Sequence, residues 1–587
     1  MKSLLAPLSV ALAVLAVPAP AAAQGTPPQA PNLQEEIRVS IRWLRSVQDP
    51  KDGSYGGGVE PTALAVRAFA QCPDRYRPAD GPFVRRAVEF LLARQKENGA
   101  ICDGAASEEA CRDQTRLAVG ALLPIASEDT AAPLAHALAF LGEKDLGNAD
   151  WDGTGEVSTL AQARVLVQEL SKSRDPAGFW EGKRGRVAET AEAVILLSKA
   201  HAVLSPAAPP GGAQARPAQA LPAAQKADRE ATLEAMRRGA LFLASQADER
   251  GRFGAPGKAD AGITAMAIAA LEALPSPRPP EVQRVIDKGL EWLVSLQRAD
   301  GSIHDGKLAN YITSASILAL VRSGEERHGN AIARAQNFLA GLQADEGEGY
   351  SEGDLYYGGI GYGSTERPDL SNLQMALEAL AASGLPSDAP TYKKALRFLE
   401  RCQNRSESNT VRIAEGEAVI ASGDDGGGVY APGDSKAGFV ELEGGVKVPR
   451  SYGSMTYALL KCFVFAGLPK DDPRMKAAFD WCQKNYTLDV NPGFEGSSDP
   501  AAAYQGLFYY FYTMAHALEA YGADAIVDAA GVRHDWRAEL AGRLVAMQSK
   551  ADGSWVNANS PRWYEGNPLL ASAYALLALR STLAEGR

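Results

Sequence analysis

The side chains best suited to chemistry are concentrated in one apolar segment near the end of the chain. Residues 504–520 carry a histidine among closely spaced aromatic rings, and Asp499-Pro500 precedes them: Tyr504, Phe508, Tyr509, Tyr510, Phe511, Tyr512 and His516. His516 with Tyr509 or Tyr512 has the residue types of an acid–base pair, and a ring such as Tyr504 could line a cavity for an apolar ligand. The alternative is a packed helix whose hydroxyls bond to the backbone and whose histidine is a satisfied core residue, which is the commoner arrangement.

A second set of candidates consists of polar side chains at the predicted starts of apolar helices. Asp369 and Asn372 stand before one apolar run, and Asp499 stands before the aromatic segment. These residue types are good N-caps, so capping alone accounts for them. In a ring of helices, however, such starts would converge at one mouth and line a pocket. Tyr357, in the Gly- and Tyr-rich stretch 347–368, is a further candidate for that lining.

One set of residues imitates a zinc site. Asp480, Cys482 and His516 are of the types that bind zinc. Residues two apart on a helix point about 200° away from each other, so Asp480 and Cys482 cannot chelate one ion unless the helix ends there. We therefore predict no metal site and no cofactor.

These candidates belong to a repeated pattern that determines the fold. An aromatic residue, followed by leucine, stands five positions before a glutamine in five places: Trp43/Gln48, Phe90/Gln95, Trp292/Gln297, Phe338/Gln343 and Phe398/Gln403. Weaker copies end at Gln246, Gln483 and Gln548. In the clearest copy, apolar positions from Val282 to Leu296 recur every three or four residues, which predicts an amphipathic helix. We expect the glutamine amide to satisfy backbone groups left open at the end of that helix.

Each copy is followed by a second helix that is apolar or small on nearly every side, as in 261–274, 311–321 and 452–466. Such a helix has no polar face and must be buried all round. Amphipathic helices that alternate with fully buried ones are what an outer and an inner ring require. The sequence therefore predicts an all-α fold of αα-hairpins.

The pattern resembles a known repeat. It consists of a basic and a small residue, an aromatic-Leu pair, a glutamine and then Gly-x-aromatic; one copy has Lys288-Gly289, Trp292-Leu293 and Gln297. This order resembles the QW repeat of squalene-hopene and oxidosqualene cyclases. The αα-hairpin is similar to the repeat of protein prenyltransferase β-subunits, and the likeness extends from about residue 33 to residue 579. It implies an α/α toroid and an apolar or isoprenoid ligand. The D-x-D-D motif, which protonates an alkene in those cyclases, is absent from this sequence, as is the diphosphate-ionising D-D-x-x-D cluster.

Composition shifts divide the chain into four segments. Residues 1–23 have a positive start, a short apolar core and a small-residue cleavage site, which predict a secretory signal. Residues 33–204 hold about four hairpins, two of them degenerate, and we expect a partial toroid there. Residues 205–227 are rich in Ala and Pro and predict a linker. Residues 228–582 hold six hairpins, the number that closes a toroid in the resembling families. An insertion at 404–449 has short runs around glycine, which predict a β-hairpin flap.

Charge and cysteine usage limit the partners and the compartment. The net charge of −11 and the absence of a basic cluster exclude nucleic acid. Cys102 and Cys111 lie in one loop and could pair in an oxidising compartment, whereas Cys72, Cys402, Cys462 and Cys482 are expected to be buried thiols. We predict a periplasmic or secreted protein without a transmembrane anchor.

Two classes of function remain open. One is a non-catalytic export-compartment toroid that binds a protein partner, a glycan or a lipid, and the missing acid motif favours it. The other is an enzyme that acts on an isoprenoid or lipid in the toroid cavity, or a polysaccharide lyase using a Tyr/His pair.

Overall fold

A computed structural model describes residues 33–142, 157, 159–204, 219–255, 258–363, 366–415 and 418–583. The predicted signal at 1–23 and residues 205–218 of the predicted linker lie outside the described residues. The described residues up to 204 form one compact unit, and those from 219 onwards form a second. No helix in these ranges is long and apolar enough to cross a membrane.

Nineteen α-helices occur among the described residues. The first unit contains α1 (Leu33–Ser46), α2 (Val59–Gln71), α3 (Pro82–Ala93), α4 (Glu108–Leu122), α5 (Glu128–Leu141), α6 (Leu160–Ser173) and α7 (Arg186–Leu204). The second contains α8 (Arg229–Gln246), α9 (Ala261–Glu272), α10 (Pro280–Ser295), α11 (Ala309–Ser323), α12 (Gly329–Ala340), α13 (Leu370–Ala382), α14 (Pro390–Arg401), α15 (Gly453–Phe465), α16 (Pro473–Lys484), α17 (Leu507–Tyr521), α18 (Trp536–Met547) and α19 (Pro568–Thr582).

The second unit is a closed ring of six hairpins. The even-numbered helices α8 to α18 lie outside, and the odd-numbered helices α9 to α19 lie inside. Each inner helix packs against the inner helices of the two neighbouring hairpins, and α19 packs against α9. Nearly every residue of the inner helices is buried, as their composition requires. The predicted α/α toroid is confirmed.

The first unit is an arc. Helix α2 packs against α4 on one side and α7 on the other, while α1 and α6 pack on α7, α3 on α2 and α5 on α4. Cys102 and Cys111 form a disulfide in the loop before α4 and at its start. The other four cysteines are free and buried, as predicted.

The glutamine of the repeat makes the same two hydrogen bonds in six hairpins. Its amide N–H₂ group donates to the carbonyl of the following glycine turn and to a carbonyl in the next outer helix. The donors and their acceptors, at 2.8–3.2 Å, are Gln48 with Gly53 and Phe83, Gln95 with Gly99 and Pro133, Gln297 with Gly301 and Ala331, Gln343 with Gly358 and Thr391, Gln403 with Gly426 and Arg474, and Gln548 with Gly553 and Ala235. We expected this amide to satisfy backbone groups at the end of its own helix; instead, one acceptor lies in the following turn, and the other joins the hairpin to the next one. The bond from Gln548 to α8 closes the ring.

A second repeated contact has no counterpart in the sequence prediction. On several inner helices, a side-chain hydroxyl accepts a hydrogen bond from the backbone N–H of the residue two positions after a turn glycine. The pairs, at 2.9–3.0 Å, are Tyr55 with Thr62, Ile101 with Thr115, Trp180 with Thr190, Phe253 with Thr264, Ile303 with Thr313, Gly428 with Thr456 and Trp555 with Ser572. These bonds tie each turn to its own inner helix, and each satisfies a backbone N–H group that the fold buries.

The insertion at 404–449 contains more β-structure than predicted. Strands β3 (Arg412–Glu415), β4 (Ala418–Ala421), β5 (Phe439–Leu442) and β6 (Val446–Pro449) form one sheet in the order β3-β4-β6-β5, with β4 and β6 parallel. Two hairpins thus lie side by side, and we call this sheet the flap. The other predicted run, 426–430, forms a single bridge from Gly428 to Gln403. The other strands of the described residues form two short antiparallel pairs. These are β1 (Gly254–Ala255) with β2 (Lys258–Ala259), and β7 (Ile526–Val527) with β8 (Arg533–His534).

Candidate functional site

A buried cluster of polar side chains lies inside the ring, where α13, α15 and α17 meet. Glu378 accepts hydrogen bonds at both carboxylate oxygens: Oε1 lies 2.7 Å from His516 Nδ1, and Oε2 lies 2.5 Å from Lys461 Nζ and 3.1 Å from the Tyr512 hydroxyl. Lys461 is 0% exposed and Glu378 8%. We call these four residues the Glu378 cluster. It includes two of the three predicted catalytic residues.

The charges in this cluster compensate one another. Burial by itself raises the pKa of Glu378, but the charges of Lys461 and His516 and their hydrogen bonds outweigh burial, and the pKa lies well below its usual 4.5. Burial and the neighbouring carboxylate hold the pKa of Tyr512 well above 10. At neutral pH the carboxylate is therefore ionised and the phenol protonated. Neither group is matched to proton transfer near pH 7.

His516 is oriented by Glu378. Because Nδ1 faces the carboxylate, Nε2 is the nitrogen left for a further contact, and no described residue bonds to it. The imidazole lies against the Tyr512 ring, with centroids 4.4 Å apart. A carboxylate that orients an imidazole occurs in acid–base sites, but here the same carboxylate also neutralises a lysine.

A layer of tyrosine rings lies in the ring interior beside the cluster. Tyr512 stacks on Tyr574 with centroids 5.5 Å apart, and the hydroxyls of Tyr574 and Tyr311 are 3.0 Å apart. The third predicted catalytic residue, Tyr509, shares a hydrogen bond with the Ser371 hydroxyl at 2.9 Å and accepts one from Gln374 Nε2 at 3.1 Å. Burial raises the pKa of Tyr509 above its usual range. The hydroxyls of Tyr509, Tyr512 and Tyr574 are each bonded to a residue of another inner helix.

Asp369 and Asn372 lie together at the start of α13. Asp369 accepts from the backbone N–H and the side-chain amide of Asn372, each at 2.8 Å, so it is the predicted N-cap. Burial raises the pKa of Asp369 to about 6, against the effect of hydrogen bonds from Asn372 and Tyr430. Asn310 on α11 donates to the Asn372 carbonyl at 3.1 Å and thereby joins two inner helices.

The remaining three candidates do not join the Glu378 cluster. The expectation that Asp499 caps an inner helix is wrong: α17 begins at Leu507, and Asp499 is exposed and caps a turn through the Ala501 N–H. Tyr504 ends that turn and uses its carbonyl to accept from Asn557. Tyr357 donates its hydroxyl to Glu346, 2.7 Å away. Burial, and then Glu346, raise the pKa of Tyr357 to about 12.

The start of α17 is instead capped by Glu565, which sequence reasoning missed. Its carboxylate accepts from the Tyr509 N–H and from Asn557 Nδ2, each at 2.7 Å, and it is 0% exposed. A carboxylate at a helix N-terminus interacts favourably with the exposed N–H groups and the helix dipole. Burial nevertheless raises the pKa of Glu565 to about 7.

Two members of the cluster were also missed, although the sequence held a signal for them. Glu378 and Lys461 are the single charged residues of two helices that are otherwise uncharged and mostly apolar. A charge buried in such a helix requires a partner of opposite sign. The pair could therefore have been proposed from the sequence, but not the histidine and tyrosine that join it. Among the described residues, no group of three or more His, Cys, Asp or Glu side chains could hold a metal ion.

Comparison with known proteins gives solved structures only. No family model and no curated protein matches the chain. A protein from Actinoplanes is 18% identical over 60% of this chain and 100% of its own, with a TM-score of 0.34. The type II terpene cyclase MstE from Scytonema is 15% identical, covering 60% of this chain and 98% of its own, with a TM-score of 0.35. The ent-copalyl diphosphate synthase from Streptomyces platensis is 14% identical, covering 84% and 100%, with a TM-score of 0.26. Similarity this low says nothing about the chemistry of this chain.

Proposed function

We propose that this chain is an exported, non-catalytic toroid that serves as a binding protein. The observation that supports this most directly is the Glu378 cluster. The carboxylate of Glu378 is held ionised by Lys461 and His516. A group that starts carbocation chemistry must instead be a strong, protonated acid facing the substrate.

The surroundings of the cluster support the same proposal. The tyrosine rings occupy the ring interior, and their hydroxyls bond to one another or to neighbouring helices. At the start of α13, where polar side chains are available, residues 369–372 carry one Asp, followed by Ser371 and Asn372 rather than further acids. Asp369 itself is used as a helix cap.

Export is supported by the Cys102–Cys111 disulfide, since disulfides persist in oxidising compartments. The test is expression of the full chain behind its own first residues in a Gram-negative host. We expect a periplasmic or secreted protein that begins at Gln24 and in which, after denaturation, four cysteines are alkylated at once and two only after reduction. A cytoplasmic protein that keeps residues 1–23 would contradict export.

The absence of catalysis is tested with the mature protein. We incubate it with geranylgeranyl diphosphate, with squalene and with polygalacturonate, and analyse products by mass spectrometry and by ultraviolet absorbance of unsaturated uronides. We expect only unreacted substrate. Turnover that is lost in both His516→Ala and Tyr512→Phe would overturn the proposal and assign catalysis to the Glu378 cluster.

A further inference from the structure

The flap and the neighbouring turns enclose a pocket of about 340 Å³ outside the ring. One wall is apolar and comes from the flap strands: Val440, Leu442, Val448 and Pro449. The facing wall is polar and comes from the turns at 423–425 and 493–495 and from the end of α16. We call this the flap pocket. A pocket with one apolar and one hydrogen-bonding wall selects a ligand with two unlike faces.

The polar wall is held in place by a buried chain of hydrogen bonds. Asn404 donates to the Ser451 hydroxyl at 2.9 Å, and Ser451 donates to Asp425 Oδ1 at 2.7 Å. The Gly427 N–H donates to the same oxygen at 2.9 Å. Asn404 is 3% exposed and Ser451 5%. Asp425 is thus fixed before any ligand arrives, and its second oxygen has no hydrogen bond from the described residues.

Two donors of the pocket lack partners. Trp481 is 6% exposed and lines the pocket, and its indole N–H bonds to no described residue. Arg450 uses Nε to reach the Phe439 carbonyl at 3.2 Å, while its two terminal nitrogens bond to no described residue and form no ion pair with one. Gly427 permits the close approach of the indole, because a Cβ there would lie 2.8 Å from Trp481 Cδ1. The indole N–H is open to the pocket, where a ligand oxygen could accept it.

We propose that the flap pocket binds a carbohydrate, an inference that rests on the proposed binding function and names its ligand class. Sugar hydroxyls both donate and accept. They can therefore accept hydrogen bonds from Trp481 and Arg450 and donate hydrogen bonds to Asp425 and Glu495. One carboxylate oxygen of Glu495 accepts from the Gly493 N–H, and the other has no partner among the described residues. The C–H face of the sugar ring packs on the apolar wall. The volume corresponds to about eleven waters at ~30 Å³ each, which is space for roughly one or two sugar rings.

A basic peptide is the competing occupant, since three carboxylates line the pocket against one guanidinium: Asp424, Asp425 and Glu495 against Arg450. These carboxylates are exposed, so solvent screens their attraction for a cation. A peptide can offer the indole N–H of Trp481 only a backbone carbonyl, whereas each sugar hydroxyl can both accept from a donor of the pocket and donate to one of its carboxylates. The mixture of donors and acceptors in the pocket therefore favours a hydroxylated ligand.

The experiment is calorimetric titration of the mature chain with cellobiose, N,N′-diacetylchitobiose, maltose and digalacturonate, and with a Lys-Ala-Lys peptide. We expect at least one sugar to bind with a Kd of about 1 mM or tighter. Trp481→Phe keeps the ring and removes the N–H, and should weaken binding about tenfold, as should Arg450→Lys. Trp563→Phe, the same change at an exposed tryptophan outside the pocket, should leave the Kd unchanged.

The outcomes separate this inference from the function on which it rests. If no sugar binds, if only the peptide binds, or if sugar binding survives both pocket variants, the carbohydrate site is refuted. The protein can still be a binding toroid in that case. Turnover of an isoprenoid that depends on His516 would refute the non-catalytic function without altering sugar affinity. Arg450 lies at the half-buried rim, so its variant tests the pocket even if Trp481→Phe lowers stability.

Discussion

Removal of Lys461 tests whether the Glu378 cluster holds the ring together through compensated charge. Lys461→Met keeps a side chain of similar length and apolar volume. Glu378 Oε2 then loses the ammonium group 2.5 Å away, at a position where the lysine is 0% exposed. Breaking a buried pair in this way costs about 3–5 kcal/mol, because the buried carboxylate loses the ammonium that compensates most of its charge and keeps only His516 and Tyr512 as partners. We expect the melting temperature of the C-terminal unit to fall by about 6–10 °C, at about 2 °C per kcal/mol for a unit of this size.

The assay is differential scanning calorimetry of the full mature chain, with Lys476→Met as the matched control. Lys476 is exposed on the outer helix α16, so its loss should change stability by less than about 0.5 kcal/mol. The double variant Glu378→Gln/Lys461→Met removes both charges and should be more stable than Lys461→Met alone. If Lys461→Met melts within experimental error of Lys476→Met, the pair does not stabilise the ring and the reasoning fails.

The pH dependence gives the same test a second readout. The pKa of Glu378 is lower in the folded chain than its usual 4.5. The stability that this shift contributes is therefore present above pH 4.5 and is lost as the pH falls below that value. The difference between wild type and Lys461→Met should narrow in acid. If the difference in stability between wild type and Lys461→Met stays constant as the pH falls below 4.5, Lys461 is not what lowers the pKa of Glu378.

Three further outcomes are expected. The pKa of Glu565 rises from 4.5 to about 7 on folding, so stability should fall as the pH rises from about 4.5 to about 7, and Glu565→Gln should flatten that slope in melting curves; an unchanged slope would reject the assignment. Gln548→Leu removes two hydrogen bonds, one of which closes the ring, and should cost about 2 kcal/mol, whereas Gln246→Leu, at an exposed glutamine bonded only to a neighbouring hydroxyl, should cost close to nothing; equal effects would deny the closure role. Loss of the disulfide in a Cys102→Ser/Cys111→Ser variant should lower the stability of the N-terminal unit by about 2.5 kcal/mol from loop-closure entropy, and an unaffected calorimetric transition would show that the short loop is already ordered without it.

The sequence was sufficient for the repeat and for the burial of each helix. Amphipathic and fully apolar helices alternate along the chain, and that periodicity depends only on neighbours a few residues apart. It therefore predicted the outer and inner rings, and the cysteines followed from their loop and helix positions. The role of the glutamines was only partly predictable, because the second acceptor of each belongs to the next hairpin, 34–71 residues away in the five bonds between consecutive hairpins.

The interior of the ring was decided by tertiary structure alone. Glu378 is 83 residues from Lys461 and 138 residues from His516 in the sequence. No local pattern fixes how each of the three inner helices is rotated about its axis or shifted along it where they meet. The contacts between the tyrosine rings of different inner helices were unpredictable for the same reason. The parallel pairing of β4 with β6 and the two unpartnered donors of the flap pocket likewise depend on contacts between distant segments. Local periodicity sets which face of an element is buried, while only the assembled ring sets what each buried polar group meets there.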